Sequence, residues 1–375
     1  MSACTLGHSA DTNCLPGYNR QHLLVRCLHS GDRSIQMRIR AIYVVCCVLL
    51  LGACGGNPEP GVEVDGQRLA VVDMHLHTGR WEWTPPRFRE RITERIPRGF
   101  KWVGEYLTNT WLSGEGILGF LDSAGISAGG VFALYSPHTT GNAPNEWVAE
   151  QIAVDPSRLF GFASIRVDQW NVDSDEQLAA FEDALTNLDN MIGVKLAHAH
   201  QQFRFDDPRF FEIYDIAGRL GKPIYLHTAT SPNPGTRTEP PYTDPAYLEK
   251  AIRLYPDTIF ILGHSGWDSY RKKLTYVDAC IDLAQRYPNV YLEPGALGAK
   301  RAAEVLPDFI QRIKKANVAH KLIYGSDGPQ FPGYLSSHLE AFVAAMQAAG
   351  FTVDEMRMIL ADNFSRVFNL PKFEP

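Results

Sequence analysis

The sequence predicts a (β/α)8 TIM-like barrel with a helical insertion after its first strand. Three observations carry this: eight short, β-branched runs follow residue 69, helical patterns separate them, and metal-binding residue types collect where those runs end.

The first run, 70–76, belongs to Val71-Val72-Asp73-Met74-His75-Leu76-His77. Alternate strand residues face the same way, so Asp73, His75 and His77 are expected on one face and Val72, Met74 and Leu76 on the other. A His-x-His pair can grip a divalent ion, but it fills only two of the ion's coordination positions. The rest of the chain must supply the others. Taken alone, the pair is equally two exposed or hydrogen-bonded histidines.

The first connection, 78–129, is longer than the others and carries Trp81, Trp83, Trp102 and Trp111 among Arg and Glu residues. It reads as a helical cap over one end. The remaining runs are 130–135, 159–165, 192–196, 223–227, 258–263, 290–293 and 321–324. Between them, 176–188, 208–220, 247–255, 271–286, 302–315 and 337–349 carry apolar residues at helical spacing. A last helix pair is expected over 353–370, with Asn363 as a cap. Eight such units over about 250 residues match a barrel whose catalytic groups sit where strands end.

Composition excludes several classes. With 375 residues, 45% of them hydrophobic and 21% charged, the chain has the make-up of a globular enzyme rather than a disordered or fibrous one. A net charge of −6 without a basic stripe gives no general attraction to nucleic acid. Cys4, Cys14, Cys27, Cys46, Cys47 and Cys54 lie before the barrel and only Cys280 lies within it, so a disulfide framework for the folded part is excluded. Oligomeric state leaves no mark in the sequence.

Residues 37–53 read as an export signal, since Arg38 and Arg40 precede an apolar run, 41–51, too short to span as a stable helix. That run ends in Leu51-Gly52-Ala53-Cys54, which resembles the lipobox of bacterial lipoproteins. The resemblance implies cleavage before Cys54 and a lipid on its thiol. Residues 1–36 are then a non-native upstream extension, with Met37 the start. Residues 54–68, opening on Gly55-Gly56-Asn57-Pro58, read as a flexible tether to a barrel over 69–375. The expected location is outside the cytoplasmic membrane, anchored by lipid at the periplasmic face or cell surface.

Six candidate metal ligands fall at strand ends. His75 and His77 close the first run, Lys195 lies near the end of the fourth, His227 ends the fifth, His264 follows the sixth and Asp327 follows the eighth. Each has an ordinary reading by itself, as an ion-pair partner, a core histidine or a turn residue. Their joint placement favours a metal site.

The chain resembles the amidohydrolase superfamily, and within it the amidohydrolase-related group called family two. The matching stretches are Asp73-Met74-His75-Leu76-His77, Gly193-Val194-Lys195-Leu196, Phe205-Asp206-Asp207-Pro208, Tyr225-Leu226-His227-Thr228, Leu262-Gly263-His264-Ser265-Gly266, Tyr324-Gly325-Ser326-Asp327 and Ile359-Leu360-Ala361-Asp362-Asn363-Phe364. The resemblance implies a distorted barrel holding one or two divalent ions, often zinc, on His75, His77, His227 and Asp327. It implies a second-metal or catalytic role for His264 and, in two-metal members, a carbamylated bridging lysine at Lys195.

The expected activity is hydrolysis of a small amide, ester or lactone, with Asp327 shuttling the proton and His264 stabilising the oxyanion or binding a second ion. One rival is a non-oxidative decarboxylase on the same barrel, releasing CO2 from an aromatic or unsaturated acid with one metal per chain; Lys195, if not carbamylated, is a cation available to a substrate carboxylate. Another is a catalytically silent surface-binding lipoprotein. For a small-molecule substrate, candidate binding groups at the mouth are Arg80, Trp81, Trp83, Tyr135, His138, Arg166, His198, His200 and Glu293, with His198 and His200, past the strand in an irregular run, reading as surface or supporting residues.

Overall fold

The computed structural model describes residues 58–94, 96 and 100–375, so the export signal, Cys54 and the upstream extension lie outside the described residues. The chain enters through a hairpin of β1 (Val62–Val64) and β2 (Gln67–Leu69). Asp65 and Gly66 make its turn, both at positive φ. Val64 and Leu69 are buried against the barrel, so part of the expected tether is structured.

Seven parallel strands follow: β3 (Val72–His77), β4 (Ala128–Phe132), β7 (Leu159–Ala163), β8 (Met191–Leu196), β9 (Ile224–His227), β10 (Phe260–Gly263) and β11 (Val290–Leu292). They pair in the order β11-β10-β9-β8-β7-β4-β3. The eighth run is not a ladder strand. Residues 321–328 instead join the two edge strands through isolated parallel bridges, Leu322 to Leu292 and Gly328 to Leu76, with Ile323 N–H donating to Leu292 O at 2.9 Å and Met74 N–H donating to Tyr324 O at 3.1 Å. Asn363 is also not a cap: its side-chain amide donates to Ala319 O and Leu322 O, fixing the approach to this segment.

The 78–129 connection is helical as expected, with helices Pro86–Thr93, Lys101–Trp111 and Gly114–Ala124. Ser113 caps the last of these by accepting from Gly116 N–H at 3.1 Å. After β4 the chain makes a small antiparallel pair, β5 (Leu134–Ser136) and β6 (Gly141–Ala143), where one strand was expected to run on to 135.

Two buried clusters flank the sheet. One holds Leu76, Val131, Val194, Leu226 and Leu262 with the surrounding helices; the other holds Val72, Met74, Phe132, Phe162, Tyr225, Ile261 and Ile323. The β3–β4 pairing shifts register between Asp73 and Leu76. That bulge breaks the strict alternation expected of 71–77, and the Asp73 carboxylate bonds to the backbone N–H groups of His75 and Ser326. Among the described residues no helix is long and apolar enough to cross a membrane.

Candidate metal centre

The bulged end of β3 and the turn after the eighth segment deliver three donors to one point. His75 Nε2 lies 3.2 Å from His77 Nε2, and Asp327 Oδ1 lies 3.3 Å from the first and 3.0 Å from the second. Asp327 adopts a left-handed backbone at φ 65°, and its turn is tied to β3 by Gly328 N–H donating to His75 O. An Asp in that conformation is tolerated at modest cost, and such strain concentrates at functional sites. Asp73 supports the same turn: its Oδ1 accepts from His75 N–H at 3.1 Å and from Ser326 N–H at 2.9 Å.

Glu293, expected at the mouth, is fully buried beneath His75. Its Oε1 accepts from Gly295 N–H at 2.7 Å and stands 3.2 Å from His75 Nδ1. Its Oε2 accepts from Tyr225 Oη–H and from His264 N–H, both at 3.0 Å. A carboxylate on Nδ1 places the proton there and leaves Nε2 as a lone pair facing His77 and Asp327, the way metal-binding histidines are oriented. Tyr225 and Glu293 were therefore legible only as a strand tyrosine and a loop acid, yet together they set the tautomer of His75.

His227 and His264 extend the group. The His264 ring centroid lies 5.1 Å from that of His75 and 4.4 Å from that of His227, and His227 Nε2 is buried without a hydrogen-bond partner. Lys195 is 1% exposed, and its ammonium lies over the Tyr225 and Phe132 rings at 3.9 and 4.5 Å. Burial dominates the titration here. It pushes the Lys195 amine down to about 7, His264 down to about 3 and His75 and His227 well below the usual imidazole range. Asp327 goes the other way from a buried acid: despite desolvation, the His77 hydrogen bond and the neighbouring imidazoles hold it well below the usual carboxylate range.

A divalent cation fits this donor set. Two imidazole Nε2 atoms 3.2 Å apart, a carboxylate oxygen within 3.3 Å of both and an orphaned buried His227 Nε2 crowd donor atoms together in an arrangement that a cation resolves.

The other expected residues divide. A cavity of about 600 Å³ is lined by His77, Arg80, Lys195, His227, His264 and Asp327. Arg80 pairs with Glu82 at 3.2 Å and lies over Trp83 and Trp147. Trp81 and Trp83 pack within the cap and do not reach the cavity: Arg89 covers the former, and Trp147 meets the latter edge-on. His138 is exposed in the β5–β6 turn, Arg166 pairs with Asp168 at 3.0 Å, and Tyr135 Oη accepts from Asn145 N–H. None of these three lines the cavity. His198 is in the core, stacked on Phe203 at 3.9 Å and bonded to Tyr214 Oη. Of the two histidines expected there, His200 is the one that lines the cavity, its ring 4.8 Å from that of His227. Arg301, which sequence reasoning missed, also lines it.

The barrel and its His–His–Asp group define a metal-dependent enzyme. The amidohydrolase family profile matches residues 122–370, and the chain belongs to that family. Among curated proteins, protein fluG of Emericella nidulans is 25% identical over 166 residues, 41% of this chain and 18% of that protein, so the chain spans less than a fifth of that relative. Among solved structures, an uncharacterized TIM-barrel protein from Bordetella bronchiseptica superposes with a TM-score of 0.61 at 22% identity, over 80% of this chain and 99% of that one. 2,6-Dihydroxybenzoate decarboxylase from Rhizobium gives 0.54 at 16% identity, over 81% and 99%. A probable 2-pyrone-4,6-dicarboxylic acid hydrolase from Acinetobacter baumannii, with citric acid bound, gives 0.56 at 16% identity, over 80% and 100%. At such identities the likeness is one of fold.

Proposed function

We propose that this protein is a hydrolase that cleaves a small amide, ester or lactone, with zinc as its metal. The observation that supports it is the ionised Asp327 carboxylate, fixed within 3.3 Å of both His75 and His77 on the wall of an apolar-lined cavity. His75, His77, His227 and Asp327 would hold a divalent ion, which when bound would supply Lewis-acid chemistry to a carbonyl and to water. Asp327 accepts the proton of the attacking water and returns it to the leaving group. His264, neutral at physiological pH, donates a hydrogen bond to the developing oxyanion. Glu293 and Tyr225 hold His75 in register throughout.

Lys195 decides between this reading and a second. An amine with a pKa of about 7 is partly neutral at pH 7, and the neutral amine is the form that captures CO2 as a carbamate. Elemental analysis of protein purified with bicarbonate and divalent metal is expected to find about two ions per chain, falling to one or none in Lys195→Ala. One ion in both proteins would remove Lys195 from the metal site. It would favour the non-oxidative decarboxylase, for which the free ammonium between the Phe132 and Tyr225 faces is the supporting observation.

We also propose that the protein is exported and held at the membrane by lipid on Cys54, a reading supported by Arg38 and Arg40 before the apolar run 41–51 and by its ending in Leu51-Gly52-Ala53-Cys54. Membrane fractionation of cells expressing the full chain tests it. Cys54→Ala is expected to move the protein to the soluble fraction, and an unchanged distribution would defeat the anchor.

A further inference from the structure

His338 stands near the start of the helix Tyr334–Ala348, fully buried, and does not line the cavity. A buried imidazole is costly unless its nitrogens are bonded, and both are. Nδ1 lies 3.0 Å from Tyr324 Oη. Nε2 lies 2.7 Å from Gly295 O and 3.0 Å from the Gly298 amide nitrogen. With the proton on Nε2 the ring donates to Gly295 O and accepts from Tyr324 Oη–H; with the proton on Nδ1 it accepts from Gly298 N–H and donates to Tyr324 Oη. Either tautomer ties the turn Gly295–Gly298, which follows β11, to the segment that leads into Asp327.

That turn backs two groups of the metal centre. Gly295 N–H donates to Glu293 Oε1 at 2.7 Å, and the same oxygen stands 3.2 Å from His75 Nδ1. Gly295 also lies against His264, where an added Cβ would stand 2.1 Å from Nδ1. Its φ of 49° is left-handed, a conformation that favours glycine, and glycine brings no side chain of its own to hold the turn. His338 supplies the hold, with its ring so close that a Cβ on Gly298 would stand 2.7 Å from it.

We propose that His338 is a positioning residue for the metal centre: by clamping the Gly295–Gly298 turn to Tyr324 it fixes the Glu293 carboxylate beneath His75 and sets the place of His264. This rests on His75, His77, His227 and Asp327 holding a metal, and not on which bond the enzyme breaks. His338 touches neither metal nor substrate. It acts through Gly295 on Glu293, and through Glu293 on His75.

The test is titration of metal-free protein with Co2+ against a competing chelator, read with the visible absorption of the bound ion, which reports the geometry of its ligands. His338→Phe keeps a ring and deletes its polar contacts. Partners of metal ligands commonly change affinity by about 10–100-fold, so His338→Phe, one contact further out, is expected to weaken Co2+ about ten-fold and to shift its absorption bands. His338→Gln, whose amide both donates and accepts, is expected to recover most of that loss. Met346→Ala, at a fully buried position of the same helix, is the control for a merely structural effect. It should lower Tm at least as far as His338→Phe and leave Co2+ affinity and spectrum unchanged. If His338→Phe does not fold, Tyr324→Phe carries the test, since it removes only the hydroxyl on Nδ1, and a weakening of about three-fold is expected. The proposal is overturned if the folded variant leaves Co2+ affinity and spectrum unchanged, if His338→Gln recovers nothing, or if Met346→Ala weakens Co2+ as much. Wild type that binds no Co2+ would defeat the metal reading instead. The clamp is then decided by the imidazole resonances of His75 and His264 in the metal-free proteins, which should move in His338→Phe and stay in place in Met346→Ala.

Discussion

Replacing Asp327 by Asn is expected to lower kcat/KM by about three to four orders of magnitude while the fold persists. Two losses combine. General base catalysis contributes on the order of 10²–10⁴-fold, and the neutral amide cannot accept the proton. The same change removes the single anionic donor of the His75–His77–Asp327 group, so metal content should fall as well. Groups that act as a unit lose function together, and double variants with His77→Ala should be little worse than either single change.

The pH dependence carries the sign of the argument. The Asp327 carboxyl is held below the usual range by His77 and the imidazoles around it, so its ionised form persists as pH falls and is lost only below the ordinary aspartate range. A wild-type kcat/KM profile should therefore keep its acid side flat through pH 5. An acid limb near pH 6 would move the base role to another group. Retention of most activity in Asp327→Asn, measured under single turnover with metal saturating, would remove Asp327 from the proton transfer.

Gly263→Ala is expected to be the most damaging small change in the barrel. A Cβ at Gly263 would stand 1.9 Å from Tyr225 Cζ and 2.1 Å from its Oη. The Tyr225 ring has no exposed surface and is packed against Phe132 and His75, so it cannot move aside without breaking its hydrogen bonds to Glu293 Oε2 and His75 Nδ1. Overpacking typically costs about 1–3 kcal/mol, and the strained hydrogen bonds add about 1 kcal/mol, so a loss near 3 kcal/mol is expected. Thermal denaturation would read it as a fall of several degrees. Because Tyr225 and Glu293 orient His75, retained metal should fall with it. Gly119 is the control, exposed on the helix Gly114–Ala124 with nothing within 4 Å of an added Cβ. Gly119→Ala should raise stability by about 0.5–1 kcal/mol. Equal Tm values for the two variants would show that Tyr225 is not confined as described.

Much of the architecture was legible because it is written locally. Period-two apolar runs and period-3.6 helices are properties of neighbouring residues, so the alternation of strand and helix and the collection of His75, His77, Lys195, His227, His264 and Asp327 at strand ends could be read in order along the chain. The bulge in β3 could not, because it is a mismatch between two strands more than fifty residues apart in sequence. Nor could the hairpin within 62–69, whose Val64 and Leu69 are buried only by what they pack against.

The division between His198 and His200 shows what tertiary structure alone decided. The two have the spacing of His75 and His77, and the sequence offers no reason to prefer either. The short helix His198–Gln201 turns His198 onto Phe203 and Phe205 and leaves His200 beside His227. Glu293 and Arg301 are likewise an ordinary acid and an ordinary surface base until the barrel closes. Closure sets Glu293 against His75 from 218 positions away and brings Arg301 to Asp327. The sequence by itself determined which chemistry each strand end carries, since residue type and local period suffice for that. Only the closed barrel decided which side chains share the site, because burial and contact between distant strands are set by packing of the whole chain and not by any one segment of it.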